Sequence, residues 1–326
     1  MLPPLPSPTA VPFARARAIW ARWGWLAHLL LAALVVALIV WGARTLDLTR
    51  VWASLRQADP LLLSTAVPSL LVACFFFRAA RFHTMVRTLP APAGGPFRFL
   101  ESARTLAACQ AANNLVPFRL GELVRTRDLT ARDYPLGPVA VMQLSEKGVE
   151  LTSLAIVALP LLPMGVLRLP LPASAGLLAL AVGVVAVAIW SWRRRSREAP
   201  LLAALADRRA LAKALLLCLA ADSLEILLIL VCLRALGLSP GWLASTAALV
   251  GLNLAIAVPS TPAQAGAFEA GPAVALALFG VDAEQAVAFA LLYRAVQWFP
   301  TTLIGSACWL APRRPAPGAT APSPER

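Results

Sequence analysis

The sequence predicts an all-α integral membrane protein with about six full transmembrane helices and two re-entrant helical elements. Three observations lead there. The chain of 326 residues is 59% hydrophobic and only 14% charged, too apolar for a soluble fold. Apolar runs of the length that crosses a bilayer, roughly 18 residues or more, recur at 24–42, 61–77, 138–163, 173–192, 211–236 and 284–311. Two further segments, around "NNLVPFRLGELVR" and "PSTPAQAG", are short and interrupted by proline and glycine. Barrel strands do not account for the long runs, because such strands alternate and are only about ten residues long.

Each element follows in order from its flanking charges. Residues 1–23 are Pro-rich and then basic; they lack a short apolar core with a cleavage site and so do not read as a signal peptide. Arg15, Arg17 and Arg22 place this N-terminus in the cytoplasm, and the first span starts at 24. The second span, about 61–80, returns to the basic stretch "RAARFHTMVR", again inside. The segment 98–117 has Arg87, Arg98 and Arg104 on one flank and Arg119, Arg125, Arg127 and Arg132 on the other. With both ends inside it reads as re-entrant, and its Glu101, Arg104, Gln110, Asn113 and Asn114 would be costly facing lipid. The span 138–163 leads out, 173–192 returns to "RRRSR", and 211–236 leads out again. Two half-helices, about 242–258 and 267–279, flank the second break, and 284–311 returns to Arg313 and Arg314. The membrane domain is then 24–312, with halves of about 24–165 and 173–312, and 313–326 is a disordered cytoplasmic tail. The alternative is about eight complete spans, which would put the loop around Arg125 outside.

The two halves repeat a pattern: a span, a broken element, then a span with buried charge. One break enters from each side, which reads as an inverted repeat of the kind found in transporters. The competing explanation is that any polytopic chain yields two Pro/Gly breaks by chance.

Several function classes drop out. The net charge of +13 is spread over short loops with no nucleic-acid motif, so no nucleic-acid partner is expected. The five cysteines have no CxxC spacing, and His28 and His83 stand alone, so neither a metal nor a redox site is expected. No nucleotide loop, nucleophile elbow or other catalytic motif is present, and no cofactor is expected.

The candidate binding residues are the ionisable groups at membrane depth. Pro117 ends one helix, Gly121 allows close backbone approach, and Glu122 and Arg125, three apart, form a pair. Arg119 is then left to present its guanidinium fork to a phosphate. Glu146 and Glu150 share a helix face with each other and balance Arg119 or Arg125, carry protons, or mark the start of a span. Arg294 needs a partner, and Asp222, Glu225 and Glu269 are the candidates. Pro259, Pro262 and Gly266 open the second break, and Glu269 caps the half-helix after it. Asn114 belongs to the first break.

The motifs "NNLVPFRLGELVR" and "VPSTPAQAGAFE", with "SEKGVE" and "LLYR" in support, resemble the flippase-like membrane domain of lysylphosphatidylglycerol synthases over about residues 25–312. Within that family the chain is also similar to proteins encoded beside hopanoid-biosynthesis enzymes. The resemblance carries over to Asn114, Pro117, Arg119, Gly121, Glu122, Arg125, Pro259, Pro262, Gly266, Glu269 and Arg294. Ala263 and Gln264 stand where the family usually has two glycines, so a stiffer break is expected there. Lys147 and Glu150 replace Arg and Asp. The resemblance implies movement of a lipid headgroup between leaflets of the bacterial inner membrane, with membrane lipids and a separate lipid-synthesising enzyme as partners. No synthetase domain follows residue 312, so synthesis of an aminoacyl lipid is not expected. The alternatives are an integral membrane transferase acting on a phospholipid or polyprenyl lipid, and a non-catalytic subunit of an envelope-lipid pathway.

Overall fold

A computed structural model describes residues 47–90, 92, 95–115, 121–161, 207–257, 264 and 266–310. The expected spans at 24–42 and 173–192, both tails, and Pro117, Arg119, Pro259 and Pro262 lie outside these residues. The chain divides into two units, Met1–Asp47 and Leu48–Arg326, and everything below concerns the second.

Every regular element among the described residues is helical. They are α1 (Leu48–Arg56), α2 (Pro60–Val86), α3 (Phe99–Leu115), α4 (Gly121–Thr130), α5 (Leu136–Ala158), α6 (Arg208–Ala235), α7 (Gly241–Ala257), α8 (Ala267–Ala277) and α9 (Ala283–Leu310). A single 3-10 turn, Leu159–Leu161, extends α5. Of these, α2, α6 and α9 are long and apolar enough to cross a membrane. α5 has the length, at 23 residues, but carries Glu146, Lys147 and Glu150.

The helix ends follow from local chemistry. Asp59 accepts from the Leu61 N–H at 2.8 Å, and Pro60 occupies the first position of α2, where a missing N–H costs nothing. Asp207 caps α6 through the N–H groups of Arg209 and Ala210, both at 3.0 Å. Pro68 and Pro300 sit inside α2 and α9, as membrane helices tolerate when neighbours take up the released carbonyls.

A long–short–short–long order occurs twice. α2, α3, α4 and α5 have 27, 17, 10 and 23 residues; α6, α7, α8 and α9 have 28, 17, 11 and 28. Two apolar cores form, the first also taking Ala214 and Cys218 of α6 and the second Val67 of α2. One gathers Phe82, Met85, Leu106, Leu129, Val139 and Met142; the other gathers Leu228, Leu233, Leu249, Leu276, Phe289 and Tyr293. α2 packs along α6 and joins the two. The outward residues are apolar too: Val72, Leu144, Leu216 and Leu303 are each more than 65% exposed. Such a surface would aggregate in water and costs nothing in lipid.

Close backbone approach holds the short helices. α3 buries Ala107, Ala108, Ala111 and Ala112, small residues that let α9 come near. A Cβ at Gly121 would meet the Cys109 carbonyl oxygen at 2.1 Å, which seats α4 on α3. In the second half a Cβ at Gly271 would meet the Gly251 oxygen at 2.5 Å, which seats α8 on α7.

Candidate functional site

Helices α2, α4 and α5 bring six charged side chains into a closed ring. Arg81 donates from Nη2 to Glu146 Oε1 at 3.1 Å and to Glu150 Oε1 at 2.6 Å. Lys147 Nζ lies 2.9 Å from Glu150 Oε2 and 3.3 Å from Glu122 Oε1. Arg125 closes the ring, donating to Glu122 Oε2 at 2.9 Å and to Glu146 Oε2. Three cations meet three carboxylates, so the ring is neutral. It is also dry on one side: Glu146 is 0% exposed and Arg125 2%. The Arg125 guanidinium stacks 4.2 Å from the Phe82 ring, which suits a weakly hydrated cation.

The expected Glu122–Arg125 pair is present, but as one edge of this ring. Arg125 takes Glu146 as well, and Glu150 goes to Arg81 and Lys147. Arg81 was read from sequence only as a topology signal. α2 runs on to Val86, so Arg81 lies inside the helix and not in a loop after it. The usable signal was the spacing of Arg78 and Arg81, one turn apart at the end of an apolar run.

Arg78, itself half-buried, makes a second ion pair with the buried Glu225 of α6. Glu225 Oε1 also accepts from the Tyr293 hydroxyl at 2.8 Å and from Gln297 Nε2 at 3.0 Å, both on α9. Asp222 accepts from the Ser153 hydroxyl of α5. The partner of Arg294 among the three candidates is therefore Glu269, not Asp222 or Glu225. Glu269 does two jobs: its Oε1 takes Arg294 and its Oε2 accepts from the Gly266 N–H at 2.7 Å, capping α8.

The two ion-pair arrangements occupy matching places in the two sets of four helices. Glu122 at the start of α4 reaches Lys147, the twelfth residue of α5; Glu269 at the start of α8 reaches Arg294, the twelfth residue of α9. Each break is also closed by a hydrogen bond to a glycine N–H. Asn113 Oδ1 accepts from Gly121 at 2.8 Å, as Glu269 does from Gly266.

Where the ends of the two breaks approach α9 there is a cavity of about 50 Å3. It is lined by Asn114, Gln264, Phe268, Arg294, Gln297, Trp298 and Thr301. Asn114 Nδ2 donates to Thr301 Oγ1 at 3.1 Å and Thr302 Oγ1 at 2.8 Å, pinning the end of α3 to α9. The Arg294 guanidinium lies 5.4 Å over the Phe268 ring. The indole N–H of Trp298 is buried without an acceptor among the described residues.

Residues 25–305 match the family described as the lysylphosphatidylglycerol synthase TM region. The chain belongs to this family. No curated protein matches it. It is thus a multi-pass membrane protein, and the family supports a function tied to membrane lipids.

Gln264 stands in the second motif, at one of the two positions where the resemblance implied a glycine pair. Its φ is +57°, in the left-handed region where a side chain is strained, and Gly266 follows at +83°. The backbone keeps a glycine-like turn although the glycine is gone. Gln264→Gly is therefore expected to stabilise the protein by about 1 kcal/mol. An unfolding midpoint in detergent that stays put or falls would show that the Gln264 side chain contributes more than its strain costs.

Proposed function

We propose that this protein moves a phospholipid between leaflets, and that the headgroup is held at the cavity beside Arg294, between the two broken elements. The observation that carries this reading is the composition of the cavity wall. Arg294 sits with the amide groups of Asn114, Gln264 and Gln297 and with the unsatisfied Trp298 N–H. A buried donor without an acceptor costs about 1–3 kcal/mol, which an arriving phosphate or ester oxygen relieves. Gln297 connects this wall to Glu225 and so to Arg78, so a charge entering the cavity is felt by the ion pair that links α2 to α6.

A cavity of about 50 Å3 has room for a few waters, not for a headgroup, so passage requires the halves to part. The helix lengths support re-entrant elements that could do so. α3 and α7 each span about 25 Å and α8 about 16 Å, short of a hydrocarbon core of about 30 Å. Arg119, between Leu115 and Gly121, is assigned to meet the headgroup from the first break. Arg125, Glu122, Glu146 and Glu150, with Arg81 and Lys147, form the neutral ring that ties α4 to α2 and α5. The setting is the bacterial inner membrane with both termini in the cytoplasm, and a separate lipid-synthesising enzyme supplies the substrate. Transport is passive, ion-coupled or partner-driven.

The test is purified protein in liposomes with a leaflet-selective fluorescent phospholipid. Arg294→Gln is expected to slow exchange at least tenfold, with Arg294→Lys retaining part of the rate, an effect larger than the modest loss of stability from its Glu269 pair explains. Equal rates for wild type and Arg294→Gln sink the site. A new lipid product on a chromatogram replaces the reading with that of a transferase.

A further inference from the structure

A second cavity, larger than the one at Arg294, lies elsewhere among the described residues. It measures about 370 Å3 and lies where the end of α2 meets the start of α6. His83, Thr84, Arg87 and Thr88 line it from α2, and Asp207, Arg209, Ala210 and Lys213 from α6. A volume of this size lies within the usual range of small-molecule sites.

Its electrostatics differ from those of the interior ion pairs. The interior cations are matched: Arg78 to Glu225, Arg81 and Arg125 to Glu146, Arg294 to Glu269. Arg87, Arg209 and Lys213 have no carboxylate within ion-pair distance among the described residues. Asp207 is the one acid among the described lining residues, and its Oδ1 is engaged by the N–H groups of Arg209 and Ala210. Three cations against one carboxylate leave two net positive charges with His83 neutral. Two hydroxyls are also spoken for, since Thr84 donates to the Ala80 oxygen and Thr88 to the Met85 oxygen. The long arginine and lysine stems are the groups left to bind, and they converge from two helices on one concave space.

We infer that this cavity binds a phosphate-bearing anion through Arg87, Arg209 and Lys213, independently of the site at Arg294. Charge bias assigns these helix ends to the cytoplasmic face, where anionic headgroups are abundant and basic pockets between helix ends take them up. The shared chemistry is a phosphate ester, which arrives either as the headgroup of an anionic lipid or as a soluble metabolite. Bound there, it would bridge α2 and α6, the helices that join the two halves. Neutralising the three cations would fix their relative position at that end.

The experiment uses the full chain and the variant Arg87→Gln/Arg209→Gln/Lys213→Gln. In one arm, the protein sits in phosphatidylcholine nanodiscs doped with phosphatidylglycerol or cardiolipin, and native mass spectrometry counts retained anionic lipid. In the other arm, glycerol phosphate is titrated calorimetrically into protein in neutral detergent. Each cation at an anionic surface contributes about fivefold, so the triple variant is expected to lose affinity about a hundredfold. Arg87→Lys/Arg209→Lys/Lys213→Arg should keep most of it, and Arg56→Gln/Arg234→Gln, which removes charge near the other ends of the helices, should keep all of it. Loss in the nanodisc arm alone identifies a lipid headgroup; loss of glycerol phosphate binding identifies a soluble ester. The inference is overturned if the triple variant matches wild type in both arms, if wild type binds neither probe, or if the distant control loses as much. Lipid exchange by Arg294→Gln is scored separately, so failure here leaves the transport reading standing.

Discussion

Glu146→Ala is expected to destabilise the protein by about 3–5 kcal/mol, the largest effect of any single side chain in the described fold. Glu146 is 0% exposed and is the only carboxylate that both buried arginines of the ring share. Removing it leaves the ring with three cations against two acids. Arg81 and Arg125 then keep one carboxylate each, and both Nε groups are already buried without partners. Breaking a buried pair from one side costs this much because the remaining charge stays desolvated. Glu146→Gln preserves shape and one accepting oxygen but turns its amide NH2 toward a guanidinium donor, and should cost somewhat less than Glu146→Ala. Lys147→Gln, at a position with a 44% exposed side chain, should cost under 1 kcal/mol. Unfolding midpoints in mixed micelles order the three. If Glu146→Ala unfolds no more easily than Lys147→Gln, the ring contributes no stability and its charges serve something else.

Gly305→Val is expected to cost about 3 kcal/mol and to abolish lipid exchange together with it. A Cβ at Gly305 would stand 2.2 Å from the Ala107 carbonyl oxygen and 2.7 Å from the Ala111 Cβ. Backbone cannot swing aside as a side chain can, so α3 and α9 must separate. That separation also breaks the Asn114 bonds to Thr301 and Thr302, which define one wall of the cavity at Arg294. Gly148→Ala is the internal contrast. Gly148 lies in α5 with nothing within 4 Å of its would-be Cβ, and the substitution should stabilise the helix by about 0.5–1 kcal/mol. Opposite signs for the two glycines in thermal unfolding establish that close approach of α3 to α9, and not glycine content, is what matters. A harmless Gly305→Val places the helices further apart than described.

Much of the fold was legible because lipid imposes length and polarity on every helix. The boundaries expected near 61, 211 and 284 fall within three residues of the starts of α2, α6 and α9. The first polar segment does form a separate short helix, α3, because its alanines, Ser102 and Thr105 suit a buried helix and not a lipid-facing one. The candidate site was legible in part. Glu122 with Arg125 could be proposed from a three-residue spacing, since neighbours on one helix are fixed by the helix itself. Arg78 and Arg81 escaped because basic residues at the end of an apolar run carry two meanings, a topology signal or a buried cation. Only the length of α2 tells them apart.

The sequence by itself determined the class of protein, the starts of α2, α6 and α9 and the need of Arg294 for an acid. These are local or compositional properties, and each can be read within one turn or one span. Tertiary structure alone decided which acid each cation meets. Arg81 is 65 residues from Glu146, Arg78 is 147 from Glu225, and Arg294 is 25 from Glu269. Pairing across such separations depends on which helices lie side by side and how they are rotated about their axes. That in turn is set by small residues such as Gly121, Gly271 and Gly305, whose role is invisible until the opposing backbone is in place.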